Sequence, residues 1–196
     1  MPKAFVPCAG RQLWEWSADV LGAVCDRVVF AVPEGHEDGD GPERVRGGAS
    51  RSESVRNALE AVPEAEIVVI HDAARPLVTA ELIERCVAEI EDGWDGAIAA
   101  APVTDTVKEA GADRRVLRTL DRSALWAIQT PQAFGAAALR QALDQPTEVL
   151  AGASDDAALV EAAGGSVRVV ESTPANLKVT VPLDLRLAEQ LLSDRC

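Results

Sequence analysis

A carboxylate and a guanidinium stand three residues apart in His71-Asp72-Ala73-Ala74-Arg75-Pro76, directly after the apolar run Ile67-Val68-Val69-Ile70. A buried strand that runs into a charged loop is how α/β enzymes place reactive side chains, because ligands bind beyond the carboxyl ends of the strands. Further cations, Lys3, Arg51, Arg122 and Lys178, fall in loops or at the edges of elements. Any one of them reads as a solvated surface charge. Gathered at the loop ends of a sheet they point to anion recognition, above all of phosphate, with arginine supplying paired planar donors and lysine a mobile point charge. Gly47-Gly48 precedes a helix, and glycines there let backbone N–H groups approach a polar ligand. Ser54 lies one turn into that helix.

Two other polar runs divide between structure and chemistry. Ser154-Asp155-Asp156 reads as a helix start, with Ser154 as N-cap and two acids in the first turn, and needs no function to explain it. Thr130-Pro131-Gln132 brings a hydroxyl, a rigid residue and an amide to what reads as a strand end, which suits ligand positioning. Neither a nucleophilic thiolate nor a metal centre is indicated. Cys8, Cys25, Cys86 and Cys196 are scattered, with Cys25 and Cys86 inside apolar helical patterns, and His36 and His71 are too far apart to suggest a zinc site.

The elements that must hold these residues alternate between strand and helix, the pattern of a parallel sheet covered by helices. Leu13, Trp14, Trp16, Val20, Leu21 and Val24 recur at helical spacing, followed by a short buried strand over residues 28–32. Ser50 and Glu53 have the spacing of a capping box, and Val55, Leu59 and Val62 continue that helix. A buried strand over 66–70 leads into the Asp72 loop. Leu82, Ile83, Cys86, Val87 and Ile90 mark a helix that stops at Gly93, and residues 96–103 read as another buried strand. From 104 to about 122 two short strand-like runs flank Gly111-Ala112-Asp113, which reads as a β-hairpin arm projecting from the body. Two helices, a strand over 167–170 and a helix after Pro182 complete the chain.

The 196 residues suffice for a single domain with one substantial core, and 47% hydrophobic with 26% charged residues is ordinary for a folded soluble chain. The net charge of −13 argues against general nucleic-acid binding, so cations collected in one pocket would stand out. No apolar run approaches a membrane span and no basic-then-apolar leader opens the chain, which together with scattered thiols predicts a cytoplasmic protein.

Taken together, His71–Pro76, residues 101–108 (Ala-Pro-Val-Thr-Asp-Thr-Val-Lys), Asp121-Arg122, residues 129–134 (Gln-Thr-Pro-Gln-Ala-Phe) and residues 176–180 (Asn-Leu-Lys-Val-Thr) resemble, in order and spacing, the 2-C-methyl-D-erythritol 4-phosphate cytidylyltransferase family of the non-mevalonate isoprenoid pathway. The resemblance implies a Rossmann-like nucleotidyltransferase sheet with helices on both faces and a homodimer joined through the arm. It implies CTP and the sugar phosphate as substrates, with Mg²⁺ bound mainly through the CTP phosphates and no protein metal ligands. By the same resemblance Lys3 stabilises charge on the CTP phosphates, and Lys178 positions both substrates. Arg122 and Thr106 approach the sugar phosphate across the dimer interface, Asp72 and Arg75 bind it with Thr130 nearby, and Gly48, Ser54 and Ala73 serve the nucleotide. Ala49 stands where the family often has an acid.

The family begins with a strand and a Gly-rich loop before its Pro-Lys element, whereas this sequence opens at Met1-Pro2-Lys3, so the resemblance implies either a start recorded downstream of the true one or an N-terminally truncated form, and predicts weak CTP binding and poor turnover for the chain as written. Residues 5–11 superficially resemble the missing strand and loop, but Gly10-Arg11 runs directly into the helix at Leu13, leaving no room for the loop. The first strand of such a sheet is central, and its removal leaves unpaired backbone groups and an apolar groove. Two alternatives stand beside the leading one: cytidylyl transfer to ribitol 5-phosphate, and a non-catalytic dimeric homologue.

Overall fold

The computed structural model describes residues 2–193; Met1 and Cys196 lie outside the described residues. A one-turn 3-10 segment at Lys3–Phe5 leads into a tight hairpin, β1 (Pro7–Cys8) with β2 (Arg11–Gln12), turned at Ala9 and Gly10, both at positive φ. Then follow α1 (Leu13–Val24), β3 (Val29–Val32), β4 (Glu43–Arg46), α2 (Arg51–Glu60), β5 (Ile67–Ile70), α3 (Ala80–Glu91) and β6 (Gly96–Pro102). The expected capping box closes α2: the Ser50 hydroxyl accepts from Glu53 N while the Glu53 carboxylate accepts from Ser50 N. The arm is an antiparallel pair, β7 (Lys108–Ala110) and β8 (Val116–Thr119), followed by a 3-10 turn at Arg122–Ala124. After β9 (Trp126–Gly135) come α4 (Ala136–Leu143), α5 (Thr147–Gly152), α6 (Asp156–Ala162), β10 (Val167–Glu171) and α7 (Pro182–Ser193). Three short helices thus stand where two were expected between β9 and β10, because Pro146 and Asp155 each begin a new one.

Four strands form the main sheet in the order β10-β6-β9-β5. The sheet is mixed rather than parallel: β10 runs parallel to β6, but β9 is antiparallel to both β6 and β5. Both faces are covered, as alternation along β6 shows. Ala97 and Ala99 point to the α3 side, packing with Leu82, Cys86, Ala133 and Val170. Ile98 points the other way, into a cluster with Leu59, Phe134, Leu139, Leu143 and Val160 from α2, β9, α4 and α6. A third cluster, Cys8, Leu13, Leu77, Val179, Ala188 and Leu192, ties the N-terminal hairpin to α7 and to the segments after β5 and β10.

The strands β3 and β4 form a separate parallel pair. Among the described residues no strand lies between that pair and β5. Each of β3 and β5 therefore has a neighbour on one side only, and both are largely half-buried rather than the buried strands expected from their composition.

Thr130-Pro131-Gln132 lies in the middle of the ten-residue β9, not at a strand end. Pairing with β6 is interrupted there: Gln132 faces Ile98 and Ile128 faces Ala100, so three residues of β9 oppose Ala99 alone. Proline donates no ladder hydrogen bond, and a bulge lets the strand carry it.

Candidate active site

The loop after β5 makes one turn, with Arg75 N donating to the Asp72 carbonyl at 2.9 Å. Its backbone is fixed from two sides. Asp72 N donates to Thr130 Oγ1 at 3.0 Å, and Val179 N donates to the Ala74 carbonyl at 2.8 Å. The Thr130 hydroxyl also pairs with His71 Nδ1 at 3.1 Å, and His71 Nε2 lies 3.0 Å from the Arg75 carbonyl. A neutral ring protonated on Nε2 satisfies both: the Thr130 proton goes to Nδ1, and Nε2–H donates to the carbonyl. Burial pushes the His71 pKa down to about 4, so the ring stays neutral at ordinary pH.

Asp72 is the centre of a cation cluster. Lys178 Nζ lies 2.8 Å from Oδ2, Arg51 Nε 3.4 Å from Oδ1, and Arg75 Nε 3.8 Å from Oδ2. Burial opposes ionisation of this carboxyl, but Lys178, Arg51 and Arg75 outweigh it and hold the pKa below the ordinary aspartate value. The strands and loops thus bring Asp72, Arg75 and Lys178 together with Arg51, another of the cations singled out in the sequence. Arg75 is only 9% exposed, and its Nη1 donates to the Asn176 carbonyl at 2.7 Å. Asn176 is itself buried and donates to Gln129 Oε1 and to the Thr130 carbonyl, each at 2.9 Å. Arg75 therefore joins the β5 loop to the segment that carries Lys178. The Lys178 side chain is 45% exposed, which leaves its ammonium open to a ligand from solvent.

The glycine loop before α2 is tightly set. Gly48 N donates to Ser54 Oγ at 3.0 Å, and Ser54 Oγ donates to the Ser50 carbonyl at 2.9 Å. A Cβ at position 48 would collide with Glu53 Cβ, so only glycine fits there. Gly48 and Ser54 are thus in contact, with Ser54 bracing the loop. Ala73 lies half-buried in the turn beside Asp72.

Three expected residues stand apart from this cluster. Lys3 is exposed in the first 3-10 turn. Its charge is felt at Asp184, whose pKa is held down first by the Thr180 hydroxyl, then by the Val181 and Thr180 amides, and least by Lys3. Thr106 and Arg122 are exposed at the base of the arm, where Arg122 donates to the Thr104 carbonyl rather than joining the cations around Asp72.

The residue whose role the sequence leaves hidden is Asp156. The N-cap of α6 is Asp155, not Ser154: its Oδ1 accepts from Ala158 N at 2.9 Å, and its Oδ2 accepts from Gln132 Nε2 at 3.1 Å. Asp156, 0% exposed, instead receives a hydrogen bond from Arg51 Nη1. The two partners are 105 positions apart in sequence, where no local spacing rule reaches.

No group of three or more His, Cys, Asp or Glu side chains among the described residues is placed to hold a metal ion. No helix among them is long and apolar enough to cross a membrane.

Comparison with known proteins agrees with the geometry. The family described as IspD: 2-C-methyl-D-erythritol 4-phosphate cytidylyltransferase matches residues 1–194. A protein of that name from Rubrobacter xylanophilus is 53% identical over 152 residues, which is 76% of this chain and 65% of the relative's length. One from Nocardia farcinica is 44% identical over 206 residues, covering 99% of this chain and 87% of the relative. The crystal structure of the enzyme from Thermus thermophilus superposes with a TM-score of 0.86 at 37% identity, covering 98% of this chain and 94% of that one. The fold is that α/β nucleotidyltransferase fold. The chain belongs to the 2-C-methyl-D-erythritol 4-phosphate cytidylyltransferase family.

Proposed function

We propose that this protein transfers CMP from CTP to 2-C-methyl-D-erythritol 4-phosphate, giving the 4-diphosphocytidyl product and pyrophosphate. The observation that carries this reading is the Asp72 carboxylate ringed by Lys178, Arg51 and Arg75 at the end of β5, on a loop whose backbone is fixed in advance. The acceptor phosphate is already an anion and needs no base. One of its oxygens attacks the α-phosphorus of CTP, and the bond from that phosphorus to the bridging oxygen breaks as pyrophosphate leaves. Such a reaction asks the protein to position two anions and to stabilise the negative charge that builds on the phosphoryl oxygens.

Lys178 supplies a mobile cation whose place is set by Asp72. Arg75, Asn176 and the His71–Thr130 pair hold Asp72 itself, so Thr130 acts on the acceptor by fixing the loop. Lys3 contributes charge at the triphosphate. Gly48, Ala73 and the Ser54-braced loop receive the nucleoside. Mg²⁺ enters as part of the CTP complex, since a magnesium ion keeps several waters and is commonly bound through substrate phosphates. Thr106 and Arg122, on the arm, reach the acceptor in a second copy. The apolar side chains exposed on and beside the arm, Val116, Leu117, Trp126 and Ile128, suit a homodimer joined there. The substrates are small and soluble, and the reading places the protein in the cytoplasm with no nucleic-acid or membrane partner.

The test is pyrophosphate release with CTP, Mg²⁺ and either 2-C-methyl-D-erythritol 4-phosphate or D-ribitol 5-phosphate at matched concentrations. Release with the first acceptor and not the second is expected; release with ribitol phosphate alone refutes the assignment of the acceptor.

A further inference from the structure

Asp156, the buried partner of the half-exposed Arg51, has no place in the mechanism above, and α6 does not require it. Asp155 already caps that helix. Asp156 is fully buried, its Oδ2 is engaged by Arg51 alone, and its Oδ1 has no hydrogen-bond partner among the described residues. A fully buried carboxylate with one oxygen unsatisfied is a poor way to add stability, since an apolar side chain of similar volume does as well or better. The pair does, however, fix the direction of the Arg51 guanidinium. With Nη1 held by Asp156, Arg51 meets Asp72 only through Nε, at 3.4 Å and on Oδ1. That leaves Oδ2 to Lys178 at 2.8 Å.

We propose that Asp156 is a positioning residue which, by clamping Arg51, prevents that arginine from pairing in a fork with Asp72 and so keeps Lys178 seated on Asp72. A guanidinium released from Asp156 matches both carboxylate oxygens at once, and its bidentate geometry outcompetes a single ammonium. Lys178 would then be displaced from the place in which it meets the acceptor phosphate. The structural half of this inference stands on the contacts alone, and its catalytic half rests on the cytidylyl-transfer reading.

Two readouts separate those halves. Lys3, Lys108 and Lys178 are the only lysines of the chain, so amine labelling followed by peptide mass spectrometry resolves each. D156N should raise the labelling rate of Lys178 several-fold relative to that of Lys108, R51Q should leave it at the wild-type level, and the double variant should follow R51Q. Such non-additivity marks a residue that acts through another. An unchanged Lys178 rate in D156N, or the same rise in D156N and in the double variant, overturns the proposal. Should D156N not fold, D156S removes the same charge and reads the same displacement. In turnover, D156N should raise KM for the sugar phosphate on the order of ten-fold, the loss of one charge-assisted contact, with a smaller rise in KM for CTP because Lys178 positions both substrates. A fall in thermal stability with both KM values unchanged would assign Asp156 a structural role only. If wild-type protein releases no pyrophosphate, the functional reading fails, and the labelling still decides whether Asp156 controls Lys178.

Discussion

Asp72 accepts charge from three cations at once, so substitutions around it should differ in kind. Lys178→Ala removes the partner at 2.8 Å that is also the cation open to solvent. It should lower kcat/KM on the order of a hundred-fold or more in a pyrophosphate-release assay, as expected for a group that meets charge developing in the transition state, with little change in melting temperature. Arg75→Ala removes a buried side chain bonded to the Asn176 carbonyl and should cost both activity and stability, the latter by about 2 kcal/mol in urea unfolding. His71 gives a pH signature. Its pKa is about 4 in the folded protein against about 6.5 in an unfolded chain, so the native state refuses a proton that the unfolded state takes up. The resulting stability is fully present above pH ~6.5 and is lost as pH falls toward ~4, by at most about 3 kcal/mol. Subtracting the same curve measured for His71→Gln isolates this contribution from the carboxylates that titrate nearby. The Asp72 loop was legible because its polar residues are contiguous and follow an apolar run. Asp156 was not, because a first-turn aspartate looks the same in sequence whether it faces water or lies buried against an arginine from another helix.

At the level of elements, local chemistry was legible wherever a local rule governs it. The capping box of α2, the stop of α3 at Gly93 and the arm around Gly111 all follow from residues a few positions apart. The antiparallel course of β9 and its passage through Pro131 were not legible, because pairing with β6 across a bulge is a long-range property. Nor did apolar composition reveal that β5 and β3 are each paired on one side only. This last feature predicts an exchange pattern. Alternate amides of β5 donate to β9 while the others face the open edge, so Ile67–Ile70 should show fast and slow hydrogen exchange in alternation. Amides of β6, flanked by β9 and β10, should be protected throughout; uniform protection of β5 would mean that its edge is covered. The glycine loop predicts a steric effect. In Gly48→Ala the new methyl would collide with Glu53 Cβ and lie 3.0 Å from the Glu53 carbonyl carbon, so the loop or the first turn of α2 must move. A loss of roughly 1–3 kcal/mol is expected, with weaker CTP binding by calorimetry.

At the level of the whole molecule, the site within one chain is divided. Asp72, Arg75 and Lys178 form one contiguous cluster, whereas Thr106 and Arg122 stand exposed at the base of the arm. The proposed homodimer explains why residues implied to serve one substrate lie apart: the arm of each copy would complete the site of the other. An isologous pairing of this kind has a consequence that no monomeric arrangement shares. Asp72→Asn and Arg122→Ala should each be nearly inactive as homodimers, yet each retains what the other lacks. In a mixed dimer one site carries both substitutions and is doubly impaired, while the other combines the intact Asp72 of one copy with the intact Arg122 of its partner. Co-expression of the two variants should therefore restore activity to about a quarter of wild type when the copies assort at random. Absence of any recovery, with mixed dimers verified by native mass spectrometry, would place Arg122 in the site of its own chain and remove the reason for the arm to cross between copies.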